Sequence, residues 1–521
     1  MDTEASAEQR LIRRNTLGDL LRRNARRNPA KTAVIFGSQS LSDREWNEHV
    51  NQAARGLSRL GVAQGHHIGI AAGNSLNFAT LIMAIAKLGA VAVPVNPTLT
   101  ASDMAFILDN GDVDWVAADY SRYNPVDEAL SHGPAMKGPK IVLDKEATGW
   151  IPFVQCFDPD CAEWFSDVDD NDVAQILYTS GTESRPKGVM LTHRNLIDQF
   201  ASIIVAGEFR PEDVVLHALP PYHSAQLNAF FGAFLHLGAT HVITQRPEPS
   251  RILDLIEQHQ VTEFFAPPTV WIGILRSPSF NPERLRSLSK AVYGAAIMPV
   301  DILGELSRTL PWVRFWNMYG MTEVAPFATA LEPREQLNRP RSVGKPGINV
   351  EMAVLRDDGT EAVPNELGEI AFRTSHALVG YYKAPDKTRE AFQYGWYHTG
   401  DVGFIDEEGY LTVVDRKKDM IKTGGENVAS REVEDVLYGH PAVQECAVVG
   451  VEDPYWIEAV TAIVVPRAGL TVGSEELLAY CRQHLAHFKV PKQIVFRQEL
   501  PKNPTGKILK RALKLELREE T

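Results

Sequence analysis

The sequence has few cysteines and no long apolar run. Its four cysteines in 521 residues form neither a CxxC pair nor the dense pattern of a disulfide scaffold, so we expect reduced thiols. The first residues lack the apolar core of a signal peptide, and the most apolar stretch, Phe78 to Val95, is interrupted by Lys87 and Pro94. These absences predict a cytoplasmic protein without a transmembrane segment.

The chain also lacks a positive net charge. Its 53 lysines and arginines against 66 acidic residues give a net charge of −13, and such a field repels nucleic acid and anionic membranes. A polyanionic ligand would therefore have to be held by local loops. With 44% hydrophobic and 23% charged residues, the composition is that of a folded chain, long enough for one large domain and at least one smaller domain.

The segment Tyr178 to Gly188, YTSGTESRPKG, has the composition of a phosphate-binding loop. Its glycines let backbone N–H groups face an anion, its hydroxyls add donors, and Lys187 adds a positive charge. A Walker A loop is absent here, because five residues separate Gly181 from Lys187 and a glycine follows that lysine. The segment indicates a nucleotide-using enzyme other than a kinase or GTPase. Taken alone, a flexible surface turn explains it equally well.

Helical and strand patterns alternate through the first part of the chain. Apolar residues from Trp46 to Leu60 recur with helical spacing, a strand is expected at Ile68 to Ala72, and a helix at Leu81 to Leu88 leads into a strand at Ala90 to Val95. The alternation resumes from Asn195 to Gly294. This pattern predicts parallel α/β sheets.

The pattern changes twice toward the carboxyl end. Gly344 to Val414 shows short alternating strands with turns, and the residues beyond Asp415 predict a helix, two strands and a helix with a core of their own. We therefore predict an α/β protein with a large N-terminal domain, residues 1–415, that contains two α/β sheets and a small β-rich subdomain. A small mobile α+β domain, residues 416–521, follows it.

Four further motifs carry groups that suit a nucleotide. NMYGMTE at 317–323 offers a ring for adenine, a hydroxyl for phosphate and a carboxylate for magnesium, and GWYHTGD at 395–401 ends in an aspartate that can bind a ribose diol. The charged run at 415–427 lies at the predicted domain boundary and suggests a hinge. PKNPTGKI at 501–508 holds a lysine on a restrained turn. Read singly, surface loops, a tight hairpin and helix-end charge also explain these motifs.

Together, the order and spacing of these motifs over more than 300 residues resemble the adenylate-forming superfamily of acyl-CoA synthetases, peptide-synthetase adenylation domains and beetle luciferases. The chain looks most like stand-alone acyl-CoA ligases for fatty or aryl acids, since no carrier domain follows Lys507. The resemblance implies that ATP, with Mg²⁺, converts a carboxylic acid to acyl-AMP. It also implies that CoA then takes the acyl group after the small domain has rotated.

The resemblance implies a role for each matching residue. Lys507 bridges the substrate carboxylate and the α-phosphate, Glu323 binds Mg²⁺, Lys418 is the hinge, and Gly424 and Gly425 lie near the pantetheine tunnel. The other ATP-binding positions are Thr179, Ser180, Gly181, Thr182, Lys187, Gly294, Ala295, Ala296, Asn317, Tyr319, Gly320, Thr322, Asp401 and Arg416. The acyl pocket is expected at His223, Ser224, Ala225, Leu227 and Met318, and His223 is also a candidate catalytic residue or a structural histidine.

Three departures refine the expectation. No acidic residue stands from Ser224 to Leu227 to pair with a substrate ammonium, which favours an apolar acid, fatty or aryl. Met318 stands where glycine is common and is expected to shorten or reshape the pocket. Glu183 replaces a threonine of the family's phosphate loop, so it should point outward or pair with Arg185.

Other functions stay open at this stage. A related enzyme would load the acyl group onto a separate acyl carrier protein, because that acceptor presents the same pantetheine arm as CoA. A catalytically silent acyl- or nucleotide-binding protein and a luciferase-like oxygenase would share the fold, although Glu323, Asp401 and Lys507 argue for retained catalysis. The oligomeric state is open, with a homodimer among the alternatives.

Overall fold

The computed structural model describes residues 7–133, 136–179, 185–296, 298–467, 469–502 and 508–519. The chain divides into a first unit, Met1–Glu351 with Phe372–Tyr397, and a second unit, Met352–Ala371 with His398–Thr521. The chain therefore enters the second unit, returns to the first and enters the second again. The sequence-based boundary after Asp415 stays a prediction.

The helices are numbered in chain order. They are α1 (Ala7–Arg13), α2 (Leu20–Arg27), α3 (Asp43–Arg59), α4 (Leu76–Leu88), α5 (Ala101–Asn110), α6 (Tyr123–Ser131), α7 (His193–Ala206), α8 (Ala233–Leu237), α9 (Pro249–His259), α10 (Pro268–Leu275), α11 (Val300–Thr309), α12 (Pro385–Ala391), α13 (Ser430–Tyr438), α14 (Ser474–His484) and α15 (Lys510–Glu519). A π-helix, Ala225–Gly232, precedes α8. None of the helices in the described part of the chain has the length and apolar composition that a membrane span needs.

The strands are numbered in the same way. They are β1 (Thr32–Phe36), β2 (Gln39–Ser42), β3 (His67–Ala71), β4 (Val91–Pro94), β5 (Trp115–Ala118), β6 (Ile141–Val142), β7 (Ile151–Pro152), β8 (Val173–Thr179), β9 (Lys187–Thr192), β10 (Val214–His217), β11 (Thr240–Ile243), β12 (Glu263–Phe265), β13 (Lys290–Gly294), β14 (Arg314–Tyr319), β15 (Thr329–Leu331), β16 (Ser342–Pro346), β17 (Val350–Leu355), β18 (Gly368–Thr374), β19 (Gly380–Tyr381), β20 (Phe392–Gln393), β21 (Trp396–Ile405), β22 (Leu411–Arg416), β23 (Ile421–Thr423), β24 (Glu426–Val428), β25 (Val443–Asp453), β26 (Ile457–Pro466) and β27 (Gln493–Phe496).

Two sheets form the frame of the first unit. One has the order β16-β15-β14-β13-β12-β10-β11-β1-β2, in which β14 through β1 run parallel. The other has the order β19-β9-β8-β4-β3-β5-β6-β7, with a parallel centre and antiparallel β8, β9 and β19. Helices such as α9, α10 and α11 contribute apolar side chains to the core on the first sheet. The predicted pair of α/β sheets is therefore confirmed.

The second unit has a β-rich part and an α+β part. Strands β17, β18, β21 and β22 are neighbours in that order, although the first three cross the boundary between the units. The later sheet has the order β24-β23-β26-β25, with β27 beside β26. One face of this sheet packs on α13 and α14, and the other packs on α15 through Leu513 and Leu517.

Candidate active site

The carboxyl ends of parallel strands bring several predicted site residues of the first unit to one edge of a sheet. Gly294 ends β13, Tyr319 ends the neighbouring β14, and His223 lies in the connection that follows β10. Ligands of open α/β sheets bind at this edge, because connections rather than further strand occupy it. The edge is therefore the candidate site.

Glu323 lies on a short 3-10 turn, Thr322–Val324, directly after β14. The Tyr381 hydroxyl donates a hydrogen bond to Glu323 Oε1 at 3.2 Å. The backbone N–H of Leu378 donates to the carbonyl oxygen of Glu323 at 2.7 Å. The turn that carries the predicted magnesium ligand is therefore held through both its backbone and its carboxylate.

The predicted phosphate loop joins two antiparallel strands. Thr179 and Lys187 are paired across β8 and β9, and Lys187 Nζ lies 5.2 Å from the centre of the Tyr381 ring. Ser180, Gly181, Thr182 and Glu183 lie outside the described residues. The Arg185 guanidinium lies 5.1 Å from the centre of the Phe106 ring, which gives this cation an aromatic contact on α5.

The predicted adenine-facing residues flank the ends of β13 and β14. Ala295 and Ala296 are exposed, and Ala295 has a positive φ of 62°. Tyr319 is partly exposed and its ring lies 6.4 Å from that of Phe372. Asn317 is buried and its amide nitrogen donates to the carbonyl oxygen of Ser342 at 3.0 Å. Among these residues, Asn317 therefore has a backbone-bracing contact in addition to its predicted role.

Close packing explains one glycine of the NMYGMTE motif. A Cβ atom on Gly320 would lie 1.8 Å from the carbonyl oxygen of Pro326. Any side chain at this position would displace the backbone behind the Glu323 turn. Gly320 therefore shapes the site without needing a contact to the nucleotide.

The predicted acyl pocket meets the metal turn through a hydroxyl pair. Ser224 Oγ and Thr322 Oγ1 are 2.9 Å apart. Behind Ser224 the chain forms the π-helix, which contains Ala225 and the buried Leu227, and its Phe230 ring stacks on Phe265 at 4.1 Å. Met318 is 8% exposed on β14. Apolar and hydroxyl side chains thus surround this part of the edge.

His223 is largely buried beside Tyr222, with ring centres 4.6 Å apart. Burial lowers the pKa of His223 to about 4, so the ring is neutral near neutral pH. Its Nε2 atom is buried and has no hydrogen-bond partner in the described part of the chain. A neutral imidazole with a buried, unsatisfied nitrogen fits a group that hydrogen bonds to a substrate.

A small cavity of about 20 Å³ lies against the π-helix. Its lining includes Phe78, His217, Gln226, Leu227 and Phe231. The Gln226 amide donates to His217 Nδ1 at 2.7 Å, so His217 Nε2 carries the proton and donates to His241 Nδ1 at 2.9 Å. Burial lowers the pKa of His217 to about 3. This neutral chain of side chains fixes the orientation of Gln226 beneath the predicted acyl pocket.

The predicted ribose residues pair with each other in the second unit. Asp401 on β21 lies opposite Arg416 on β22, and Arg416 Nε is 2.7 Å from Asp401 Oδ1. Asp401 is 4% exposed, whereas more than a third of the Arg416 side chain is exposed. The ion pair holds a carboxylate and a guanidinium together, and both can hydrogen bond to hydroxyl groups.

The predicted hinge and pantetheine residues lie farther along the second unit. Lys418 is exposed in the turn between β22 and β23. Gly424 and Gly425 have positive φ values of 59° and 88°, and a Cβ on Gly424 would lie 3.0 Å from the Trp456 ring. Lys507 lies outside the described residues. Its flanks are held, because Lys502 and Ile508 form a β-bridge.

Sequence reasoning missed Tyr381 and the π-helix. Tyr381 lies in a GYY run without a charged neighbour before Lys383, and its contacts with Lys187 and Glu323 arise only in the folded chain. The sequence signal closest to a clue is Gly380, which pairs with Met190 of β9 beside it. The π-helix gives no separate signal, because its apolar residues also fit an α-helix.

Family models match most of the chain. The model described as AMP-binding enzyme matches residues 21–382, and the model of the AMP-binding enzyme C-terminal domain matches residues 432–507. The chain belongs to the family of AMP-binding enzymes. The resemblance to adenylate-forming enzymes is therefore confirmed.

Known proteins similar to this AMP-binding enzyme include CoA ligases. A feruloyl-CoA synthase of Amycolatopsis sp is 35% identical over 96% of this chain and 98% of its own length. A long-chain-fatty-acid–CoA ligase of Bacillus subtilis is 31% identical over 97% of this chain and 95% of its own. The crystal structure of the anthranilate CoA ligase AuaEII in complex with anthranoyl-AMP has a TM-score of 0.89 and 25% identity, and the match covers 98% of both chains.

The family and these relatives confirm the predicted enzyme class. The AMP-binding enzyme is an AMP-forming acyl-CoA ligase, which uses ATP to activate a carboxylic acid and CoA to accept the acyl group. The α/β fold, with a large N-terminal and a smaller C-terminal domain as in these structures, is confirmed too. The findings favour CoA as the acceptor over the alternative of a carrier protein.

Proposed function

We propose that this ligase activates an apolar carboxylic acid, with an aryl acid as the first candidate and a fatty acid as the second. The observation that carries the proposal is the 2.9 Å contact between Ser224 and Thr322, which joins the predicted acyl pocket to the turn of Glu323. Residues 224–227 contain no carboxylate for a substrate ammonium, and the stacked Phe230 and Phe265 rings lie nearby in the chain and sheet. Relatives named for ferulate, anthranilate and long-chain fatty acids support both candidates.

The proposal gives Glu323 the role of Mg²⁺ ligand. Magnesium is usually held by one or two carboxylates together with substrate phosphates, and a single carboxylate near Lys187 fits that pattern. When bound, the ion would neutralise charge on the phosphates. Lys187 and the hydroxyl of Thr322 would hold phosphate oxygens, and Tyr319 would stack on the adenine.

The remaining roles rest on motif positions. Lys507 is proposed to lie between the substrate carboxylate and the α-phosphate, where its charge offsets the repulsion of two anions in the transition state. Asp401 and Arg416 are proposed to bind the ribose, and Gly424 and Gly425 to lie along the path of the pantetheine arm. A cytoplasmic location, use of a carrier protein and a homodimer stay predictions.

Acid-dependent exchange of pyrophosphate into ATP tests the substrate class. A panel of cinnamic-type, benzoic-type, long-chain fatty and β-amino acids should give the highest exchange with an aryl or fatty acid and none with a β-amino acid. Thioester formation is then compared with CoA and with an acyl carrier protein as acceptors. Highest exchange with the amino acid, or no exchange with any acid, would contradict the proposal.

A further inference from the structure

A short segment, His376–Tyr381, follows β18 and contacts both sides of the proposed ATP site. On one side it holds the metal turn. The Leu378 N–H donates to the carbonyl oxygen of Glu323 at 2.7 Å, and His376 Nδ1 hydrogen bonds to that of Val324 at 2.8 Å. We call this segment the connecting segment.

The other side of the connecting segment is paired with β9, the strand that begins at Lys187. Gly380 and Tyr381 form β19 and lie opposite Met190 and Val189 in antiparallel register. The Val379 N–H donates to the carbonyl oxygen of Met190 at 3.1 Å. The connecting segment therefore fixes the strand of the phosphate lysine relative to the turn of the metal carboxylate.

The Tyr381 side chain repeats this link between functional groups. Its hydroxyl donates to Glu323 Oε1 at 3.2 Å, and its ring centre lies 5.2 Å from Lys187 Nζ. The side chain is 8% exposed, so water competes little for either contact. Glu and Lys are long side chains that lose conformational entropy when they are held in one place, and a rigid tyrosine between them supplies that restraint within the fold.

We propose that Tyr381 is a positioning residue that sets the distance between the metal-binding carboxylate of Glu323 and the phosphate-binding ammonium of Lys187. The inference rests on the proposed function, which gives these two residues their ligands. The hydroxyl aims the carboxylate, and the ring face holds the ammonium. Tyr381 itself needs no contact with substrate to act in this way.

The Tyr381→Phe variant removes the hydroxyl and keeps the ring. We expect the dissociation constant of MgATP, measured by calorimetric titration, to rise about tenfold, because a hydrogen bond to a charged group is lost. Binding of ATP in the presence of EDTA should stay unchanged, since the contact with Lys187 remains. The KM for the acid and thioester formation from supplied acyl-AMP should also stay within about twofold of wild type.

The Tyr381→Leu variant removes the ring as well. It should weaken binding of ATP in EDTA in addition to binding of MgATP, because the cation–π contact with Lys187 is lost. Melting temperatures are measured for both variants. A purely structural role predicts equal weakening of ATP with and without metal in the phenylalanine variant, and that outcome would overturn the inference.

The neighbouring tyrosine supplies the matched control. The Tyr382 hydroxyl also donates to a carboxylate, Asp112 Oδ2 at 2.7 Å, but its ring contacts His67 rather than the proposed site. Tyr382→Phe should leave the affinity for MgATP unchanged. If Tyr382→Phe weakens MgATP as much as Tyr381→Phe does, the positioning role of Tyr381 is wrong.

The Glu323→Gln variant separates failure of this inference from failure of the proposed function. If Glu323 binds the metal, this variant binds MgATP no more tightly than ATP in EDTA. A retained advantage of MgATP in Glu323→Gln would contradict the metal role in the proposed function. Loss of that advantage in Glu323→Gln, together with wild-type MgATP affinity in Tyr381→Phe, would contradict only the positioning role.

Discussion

Glu263 is a fully buried carboxyl at the start of β12. Neither of its carboxyl oxygens has a hydrogen-bond partner in the described part of the chain, although Lys290 and Asp213 form an ion pair at 2.5 Å close by. Burial and the charge of Asp213 raise the pKa of Glu263 well above its ordinary range, and Lys290 opposes them only in part. In the folded protein this carboxyl therefore stays protonated at pH values that ionise it in the unfolded chain.

The pH dependence of stability tests this assignment. Because the folded state binds the extra proton, Glu263 lowers stability as the pH rises above the ordinary pKa of a glutamate toward its folded-state pKa. Glu263→Gln removes this loss, so its melting temperature relative to wild type should be a few degrees higher at pH 8 than at pH 5. Glu407→Gln, at an exposed turn position, serves as the control. The same difference from wild type at both pH values would contradict a raised pKa.

Site residues could be predicted where a motif carries its own chemistry. The GYY run around Tyr381 has no such signal, because its value lies in contacts with Lys187 and Glu323, which come from other parts of the chain. The opposite holds for Glu323 and Asp401, whose carboxylates stand in recognisable motifs. Sequence thus predicts ligand-facing groups better than the residues that orient them.

At the scale of elements, periodicity predicted helices but not their first turns. The helix expected at Leu81 to Leu88 begins at Leu76, where the Ser75 hydroxyl accepts a hydrogen bond from the Phe78 N–H. Almost every residue of α4 is buried, so no polar face marks where it starts. The π-helix at Ala225–Gly232 is hidden for a related reason, since its wider turn depends on packing against the sheet edge.

Helix α15 is attached to α13 by an ion pair within the second unit. Lys510 Nζ lies 2.8 Å from Glu434 Oε1 and donates to Ser430 Oγ at 2.6 Å, and the Ser430 hydroxyl donates to Asp415 Oδ2 at 2.6 Å. Lys510 follows Lys507 by three residues in the sequence. This hydrogen-bonded chain therefore connects the start of α15 to the end of β22.

The Lys510→Met variant should destabilise the protein, because it leaves Glu434 and Ser430 without their cation. We expect a loss of about 1.5–3 kcal/mol in the free energy of unfolding, measured by urea denaturation. Lys514→Met on the same helix is the control. Its pair with Glu458 at 3.3 Å is more exposed and should contribute less than about 1 kcal/mol. Equal losses in the two variants would show that the connection to α13 has no special weight.

At the scale of the whole molecule, strand order could not be predicted from the sequence. The parallel sheet places Val34 beside His241, and β10 lies between β11 and β12. Alternating helices and strands indicate parallel sheets, but they do not specify which distant strands become neighbours. The proposed function adds a demand that no single arrangement meets, because one site must serve two half-reactions.

The Lys507→Ala variant tests the first half-reaction. If Lys507 offsets the charge of two reacting anions, its loss should lower acid-dependent pyrophosphate exchange by about 100-fold or more. Thioester formation from supplied acyl-AMP should stay within a few-fold of wild type, because the charged transition state has already been passed. Lys502→Ala, five residues earlier and paired with Glu445, is the matched control and should change neither rate. Equal loss of both half-reactions in Lys507→Ala would contradict the role.

The Lys418→Pro variant tests the second half-reaction. Lys418 lies exposed in the turn between β22 and β23, so proline removes backbone freedom there without disturbing a core. If rotation about this turn exchanges the two catalytic arrangements, thioester formation from acyl-AMP should fall by about 100-fold or more while pyrophosphate exchange persists. Lys418→Ala keeps the backbone free and should behave as wild type in both assays. A proline variant with wild-type thioester formation would move the hinge to another residue and leave the role of Lys507 intact.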